Sequence, residues 1–340
     1  MLKKSDIQLF PKVELHCHLD GSIRPRTLQK IAKQQGLPIS DSLQEVTEKM
    51  QAPVTCQNLE EYLTCFDFVL PFLQTKEALE MAAFDMMEQA FEDGVRYIEI
   101  RFAPILSMAK DLTVTETIEA VAAGIAKGEE RYPVMGNILV IGMRSGDLEE
   151  ISRIFDQTKK QRHSKVVGLD LAGAEEDHYV SHYEATLKVA TSHGKVPLTL
   201  HAGECGCVHN VIDAVAAGAT RIGHGIALKG HQQVQKQLAQ SSVCIEGCPT
   251  SNVQTRAISD YTEYPLREWL ENQVTFCIST DNRTVSNTTL TNEYFLLQKY
   301  HDLSPDEFRL LNINGMHYSF ADETLTQKVL AEMKAYQFTE

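Results

Sequence analysis

Histidine and carboxylate residues gather in four short stretches of the sequence, and their types suit metal binding and proton transfer. Histidine can ligate a metal or carry a proton near neutral pH, and a carboxylate can ligate, accept a proton or, when buried, donate one. In chain order the residues are His16, His18 and Asp20; His201 and Glu204; His224; and Asp281 followed by Asn282. A single residue of this kind is usually structural, but the recurrence of the pattern indicates a shared site.

The first stretch, residues 14–22, is predicted to be the end of a β-strand. Alternate residues of a strand share a face, so His16, His18 and Asp20 point the same way. Two histidines at i and i+2 on a strand can chelate one metal ion. The alternative interpretation of this pair is two polar residues of the core.

Three imidazoles and one carboxylate form a ligand set that suits Zn²⁺, which binds nitrogen and oxygen and keeps one position open for water in catalytic sites. Such an ion lowers the pKa of bound water toward about 7 and makes hydroxide available at neutral pH. Glu204 would then lie beside the metal as an acid, and His224 would act as a base near the water.

The elements that must position these residues alternate between short β-branched runs and longer amphipathic stretches. Eight runs predict strands: Val13–His18, Val95–Phe102, Ile138–Met143, Val166–Leu171, Pro197–His201, Thr220–Gly223, Val243–Glu246 and Phe276–Thr280. Eight alternations predict an α/β fold, a TIM (β/α)8 barrel, with a doubly wound parallel sheet as the alternative. The carboxyl ends of all barrel strands open onto one face, where His201, His224 and Asp281 would meet.

The connection between the first two strands is unusually long, and we interpret residues 25–93 as a helical insertion. Within it, Leu59–Phe66 carries apolar residues at i, i+3, i+4 and i+7. One interpretation is a lid over the barrel mouth, because long connections are often functional. The other is a plain amphipathic helix packed on the barrel. With this insertion, residues 1–340 are predicted to form one domain.

Composition restricts the class of partner. A net charge of −14 argues against a nucleic acid, because no basic patch offsets it, and leaves a small neutral substrate possible. The first ten residues lack the apolar core of a signal peptide, and we find no run long enough for a membrane helix. The eight cysteines are scattered along the chain, which favours reduced thiols and a cytoplasmic location. No feature specifies an oligomeric state.

Together the motifs resemble those of a known family. They are His16-x-His18-Leu-Asp20-Gly-Ser, His201-Ala-Gly-Glu204, Arg221-Ile-Gly-His224-Gly and Ser279-Thr-Asp281-Asn282. These look like the motifs of the adenosine deaminase family within the amidohydrolase superfamily, in order from Pro11 to about Ala321. The resemblance implies hydrolytic deamination of adenosine, and of 2′-deoxyadenosine, to inosine or 2′-deoxyinosine and ammonia. It also implies one Zn²⁺ per chain and no organic cofactor.

The resemblance assigns roles residue by residue. The zinc ligands would be His16, His18, His201 and Asp281, with His18 also facing the substrate. Glu204 would protonate purine N1, and His224 would orient and help deprotonate the metal-bound water. Asp20 would bind the ribose 5′-hydroxyl, Gly173 would contact N3 through its backbone, and Asn282 would donate to N7. Many family members have Asp where this chain has Asn282; an amide donates without any change of pKa.

Rival interpretations remain within and outside the family. One is a related deaminase acting on adenine or on an N6-modified adenine nucleoside or nucleotide, although Asp20 resembles the nucleoside branch. A binuclear amidohydrolase would commonly carry a lysine on the fourth strand, which has none. A non-catalytic zinc protein would leave Glu204 and His224 without a purpose. Glu99 and Arg101, alternating on the second strand, are interpreted as a buried pair.

Overall fold

The computed structural model describes residues 2–160, 165–192 and 196–338. All eight predicted strands are present, with bounds shifted by a few residues at most. They are β1 Lys12–His18, β2 Val95–Phe102, β3 Met135–Met143, β4 Val166–Ala172, β5 Thr199–Ala202, β6 Arg221–His224, β7 Cys244–Gly247 and β8 Phe276–Ile278. The fold is therefore mixed α/β, with at least one helix between each pair of consecutive strands.

The strands form two parallel four-stranded sheets, in the orders β1-β2-β3-β4 and β5-β6-β7-β8. Two isolated parallel bridges link them, Leu169 with Leu198 and Cys17 with Asp281. At the second bridge, Asp281 N donates to His16 O at 2.9 Å and His18 N donates to Asp281 O at 2.8 Å. This bridge therefore places Asp281 directly beside the two histidines of β1.

Helices pack against both sheets. In the described residues they are α1 Lys4–Leu9, α2 Pro25–Gln35, α3 Leu43–Met50, α4 Leu59–Val69, α5 Lys76–Glu92, α6 Val114–Arg131, α7 Leu148–Lys159, α8 Tyr179–Ser192, α9 Val208–Ala216, α10 Gln232–Ala239, α11 Pro249–Gln254, α12 Leu266–Glu271, α13 Leu290–His301, α14 Pro305–Tyr318 and α15 Glu323–Ala335. Short 3₁₀ turns lie at Leu70–Phe72, Pro104–Ser107, Ile226–Leu228 and Tyr261–Glu263. Within those ranges, no helix combines the length and the apolar character that crossing a bilayer requires.

Helices α2 to α5 all lie in the long connection between β1 and β2. Helix α4 begins where the Asn58 side chain accepts from Glu61 N at 2.8 Å, as expected for an N-terminal cap. Its Tyr62 and Cys65 pack with Cys56 and Val285 in a small apolar cluster separate from the main core. Helix α4 is thus anchored to the chain that follows β8.

The space between the strands is not purely apolar. Glu99 and Arg101 are both buried, as predicted, but among the described residues they form no ion pair with each other. Each reaches another strand instead: Glu99 pairs with Arg221 at 2.5 Å, and Arg101 with Asp170 at 2.8 Å and Glu246 at 2.7 Å. The reason is that residues at i and i+2 share one face of a strand, where oppositely charged side chains from other strands lie within reach.

Candidate active site

The four predicted metal ligands converge at one point. One ligand atom from each of His16, His18, His201 and Asp281 lies within 4.8 Å of all the others. The Nε2 atoms of His16 and His18 lie 3.1 and 3.2 Å from Nε2 of His201. Asp281 Oδ1 lies 3.4 Å from Nε2 of His16 and 3.3 Å from Nε2 of His18. Lone pairs and a carboxylate directed at one point form a site for a cation.

Carboxylates behind the histidines orient two of the rings. Nδ1 of His16 lies 2.8 Å from Glu246 Oε2, and Nδ1 of His201 lies 2.9 Å from Asp170 Oδ2. Each Nδ1–H therefore donates to a carboxylate, which leaves the Nε2 lone pair free to face the metal position. The site thus meets the requirement of a metal centre for fixed histidine tautomers, and its three nitrogens and one oxygen suit Zn²⁺.

Two of the candidate site residues have an unusual backbone conformation. His224 and Asp281 have φ of 65° and 63°, the left-handed region that few non-glycine residues occupy. At both positions the chain turns sharply at or just after a strand end. Such conformations cost free energy and persist only where the surrounding structure holds them, as the bridge to β1 holds Asp281.

Glu204 lies on the loop after β5 and is buried beside the metal ligands. Burial, reinforced by the negative charges of Asp281 and Glu175, raises its pKa to about 8. A carboxyl group with that pKa is mostly protonated at neutral pH and can donate a proton. Its Oε1 lies 3.7 Å from Nε2 of His224.

The pKa of His224 is shifted in the opposite direction from that of Glu204. Burial lowers the pKa of its imidazole well below the ordinary value, so the ring is neutral. Its Nδ1 lies 3.2 Å from Nδ2 of Asn252, whose Oδ1 lacks a hydrogen-bond partner among the described residues. Rotation of that amide by 180° would let Nδ1–H donate to Oδ1. The Nε2 lone pair would then face the cavity as a proton acceptor.

A cavity of about 210 Å³ connects these groups with the predicted substrate-binding residues. Its lining includes His18, Asp20, Gly173, His201, Glu204, His224, Asp281 and Asn282, together with Leu59, Tyr62, Leu63, Phe66, Leu70, Ala103, Leu106, Ile141, Met143 and Ala172. All the predicted site residues except His16 therefore line the same cavity. His16 is fully buried and does not line it. The apolar remainder suits a flat, weakly polar ring.

Asn282 and Asp20 have distinct surroundings within this cavity. Oδ1 of Asn282 faces Gly21 so closely that a Cβ there would come within 1.8 Å of it. The Tyr62 hydroxyl lies near the Asn282 side chain and forms a hydrogen bond with Ser286 Oγ at 2.7 Å. Burial raises the pKa of Asp20 to about 6, so its carboxyl is mostly ionised at pH 7 and above.

The sequence motifs do not identify several residues around the site, namely Glu246, Asn252, Glu175 and Asp170. For Glu246 and Asp170 the sequence does carry a signal, because each is a lone carboxylate inside an apolar strand. Asn252 and Glu175 lie in polar stretches where no such contrast exists.

A second cluster that could hold a metal shares His16 and adds His224 and Cys248. Cys248 does not line the cavity, and its thiol lies 3.5 Å from Glu246 O as a hydrogen-bond donor. The cluster of His16, His18, His201 and Asp281 offers four ligand atoms and borders the cavity, so it is the better candidate for a metal site.

Known proteins resemble this chain over nearly its whole length. A sequence model described as adenosine deaminase matches residues 11–336. The chain is 46% identical to the adenosine deaminase of Enterococcus faecalis, over 96% of this chain and 98% of that protein. It is similar to a solved adenine deaminase from Arthrobacter aurescens (TM-score 0.88, 25% identity, 96% and 98% of the two chains). An N6-methyl-AMP deaminase from Arabidopsis thaliana shares the fold (TM-score 0.85, 24% identity, 98% of both chains).

The contact between His201 and Asp170 leads to a prediction about metal affinity. Asp170→Asn keeps the shape but replaces the charged acceptor, and we expect it to weaken metal binding by about 10- to 100-fold. Competition with a chromophoric chelator measures the change. Asp213→Asn is the matched control, since Asp213 also contacts a histidine, the exposed His178, at 3.3 Å and does not line the cavity. Equal affinities in Asp170→Asn and the parent would show that this carboxylate does not tune the ligand.

Proposed function

Because the chain belongs to the adenosine deaminase family and deaminates adenosine by hydrolysis, we propose that it uses one Zn²⁺ ion per chain. The ligands are His16, His18, His201 and Asp281. The observation that carries this proposal is the convergence of their four ligand atoms beside a cavity that also contains a buried acid, Glu204. When bound, Zn²⁺ supplies the Lewis acidity that makes a water-derived nucleophile available at neutral pH.

The protein's own residues provide the proton transfers. Glu204, protonated at neutral pH because burial raises its pKa to about 8, donates to purine N1 and lowers the electron density at C6. His224 Nε2, in the tautomer that Asn252 permits, accepts a proton from the attacking water and fixes its direction. The two groups have pKa values shifted in opposite directions, which is what an acid and base pair in one site requires.

The cavity walls recognise the nucleoside. Asp20 accepts a hydrogen bond from the ribose 5′-hydroxyl, the backbone of Gly173 meets N3, and Asn282 donates to N7. His18, part of the cavity wall, contacts the substrate as well as the metal. The apolar residues of α4 and the 3₁₀ turn that follows it pack against the rest of the ligand and exclude water.

The fold itself has a further interpretation. We propose that the two sheets are halves of one closed (β/α)8 barrel, supported by the hydrogen-bonded bridges on both sides. Residues 1–340 then form one domain, with residues 25–93 as a helical insertion whose helix α4 is the lid. A cytoplasmic location is supported by eight cysteines that are all free thiols.

The first prediction here concerns Glu204. Glu204→Gln removes the transferable proton, so turnover of adenosine should fall by about 10²- to 10⁴-fold while elemental analysis still finds about one zinc per chain. In the parent, kcat/KM should decline as the pH rises through about 8, because the raised pKa keeps the acid protonated only below that value. Near-parental turnover of a fully metallated Glu204→Gln would assign N1 protonation to another group.

The second prediction separates adenosine from the alternative substrates, adenine and an adenine nucleotide. The ionised Asp20 carboxyl favours the 5′-hydroxyl and repels a 5′-phosphate, so adenosine should react far better than AMP. Asp20→Ala should lower kcat/KM for adenosine much more than for adenine, which has no ribose. Ultraviolet assays on the three substrates measure this. Similar losses on adenosine and adenine would remove Asp20 from ribose recognition.

The third prediction concerns Asn282. An unpaired N7 in a dry pocket costs about 1–3 kcal/mol, so Asn282→Leu should lose roughly 5- to 150-fold in kcat/KM for adenosine. Asn282→Asp should lose less, provided its carboxyl is protonated. The analogue 7-deazaadenosine has C–H in place of N7, so the parent should turn it over with a much lower kcat/KM than adenosine. In Asn282→Leu the two nucleosides should have similar kcat/KM values. If the parent treated both nucleosides alike within about twofold, Asn282 would not contact N7.

A further inference from the structure

Glu175 lies on the loop between β4 and α8, and its carboxylate accepts four hydrogen bonds from the neighbouring loop and helix. Oε1 accepts from Gly203 N at 2.6 Å and from Asn210 Nδ2 at 2.7 Å. Oε2 accepts from Glu204 N at 2.7 Å and from Cys205 N at 2.9 Å. One side chain therefore binds three consecutive backbone N–H groups, and the middle one belongs to the catalytic acid.

The loop that carries Glu204 presents its backbone donors to Glu175. Gly203 has φ of 71°, and the three N–H groups point the same way rather than into a helix or sheet. Backbone donors that face one direction at a loop form a concave anion site. In this protein the bound anion is the Glu175 carboxylate. Asn210 of α9 adds a fourth donor and also binds Glu176 O at 2.9 Å, which fixes the distance between the two loops.

The same loop carries Gly173, two residues before Glu175. Its carbonyl accepts from the Arg144 guanidinium, which also donates to Ala174 O at 3.1 Å and to His201 O at 2.9 Å. The chain around Gly173 and the chain around Glu204 are thus tied to each other from both sides. These are the positions proposed to face N3 and N1, two atoms of one rigid ring.

We propose that Glu175 is a positioning residue for the deamination: by binding the N–H groups of residues 203–205 it directs the Glu204 carboxyl at purine N1 and fixes its distance from Gly173. This inference rests on the proposed role of Glu204 as the proton donor. Electrostatics act in the same direction, because the Glu175 charge is one of the factors that raise the pKa of Glu204.

The decisive experiment is a double-mutant cycle on the zinc-loaded enzyme. Glu175→Ala removes all four acceptor contacts, and a misplaced catalytic group costs up to about 10²-fold, so kcat should fall roughly 10- to 100-fold with KM changed little. In the Glu204→Gln background the same substitution should change kcat by less than about twofold, because Glu175 then has no acid to direct. If Glu175→Ala lowered kcat by the same factor in both backgrounds, the two residues would act independently. That result would overturn the proposal in favour of a merely structural role for Glu175.

Two control variants show whether a decrease in kcat comes from the Glu175 contacts. Glu176→Ala changes the adjacent, exposed carboxylate and should leave kcat and zinc content unchanged. Glu175→Gln is the milder variant if Glu175→Ala does not fold: it keeps one acceptor oxygen, so its kcat should lie between those of Glu175→Ala and the parent. Hydrogen exchange at residues 203–205 should accelerate in both. Parental kcat in Glu175→Gln with accelerated exchange would also refute the proposal.

The outcomes for Glu204 and Glu175 are distinguishable. If Glu204→Gln stays active, the proposed function of that acid is wrong whatever Glu175 does. If Glu204→Gln is inactive and Glu175→Ala turns over adenosine normally, only the positioning role fails.

Discussion

The buried guanidinium of Arg101 is the group on which the geometry of the site depends. It binds Asp170 at 2.8 Å and Glu246 at 2.7 Å, and each of those carboxylates accepts the Nδ1–H of one predicted metal ligand. All three charged groups are fully buried, where an unpaired charge would be very costly. The network therefore has essentially one arrangement, and it fixes the rings of His16 and His201 together.

Burial explains why Glu204 and His224 differ in protonation although they are close neighbours. Both side chains are buried, and burial disfavours the charged form of each. For a carboxyl group that means retaining its proton, and for an imidazole it means losing one. Burial therefore leaves a protonated carboxyl group on Glu204 and a neutral imidazole on His224, 3.7 Å apart.

Contacts across the cavity connect the chemistry with the inserted helices. The Tyr62 hydroxyl of α4 binds Ser286 Oγ at 2.7 Å, and Tyr62 packs against Val285. Ser286 and Val285 follow Asp281 and Asn282 along the same chain segment. Any displacement of α4 must therefore break a buried hydrogen bond and separate apolar side chains in the segment that carries the proposed metal ligand and the proposed N7 donor.

The sequence by itself determined the eight strands and the set of residues that meet at the cavity. Its signals were local: His16 and His18 share a face because strands alternate, and His201 and Glu204 belong to one strand end. The same periodicity indicated buried charge at Glu99 and Arg101, although not their partners.

Tertiary structure decided the rest, because the deciding contacts join residues far apart in the chain. Asp281 becomes a neighbour of His16 only through the bridge between the two sheets. Aspartate adopts positive φ more readily than most residues, but its residue type alone does not specify that conformation at position 281. Glu175 and Asn252 act through loops whose approach depends on how whole strands and helices pack. Local spacing specifies which side chains face inward, but only packing specifies which of them touch.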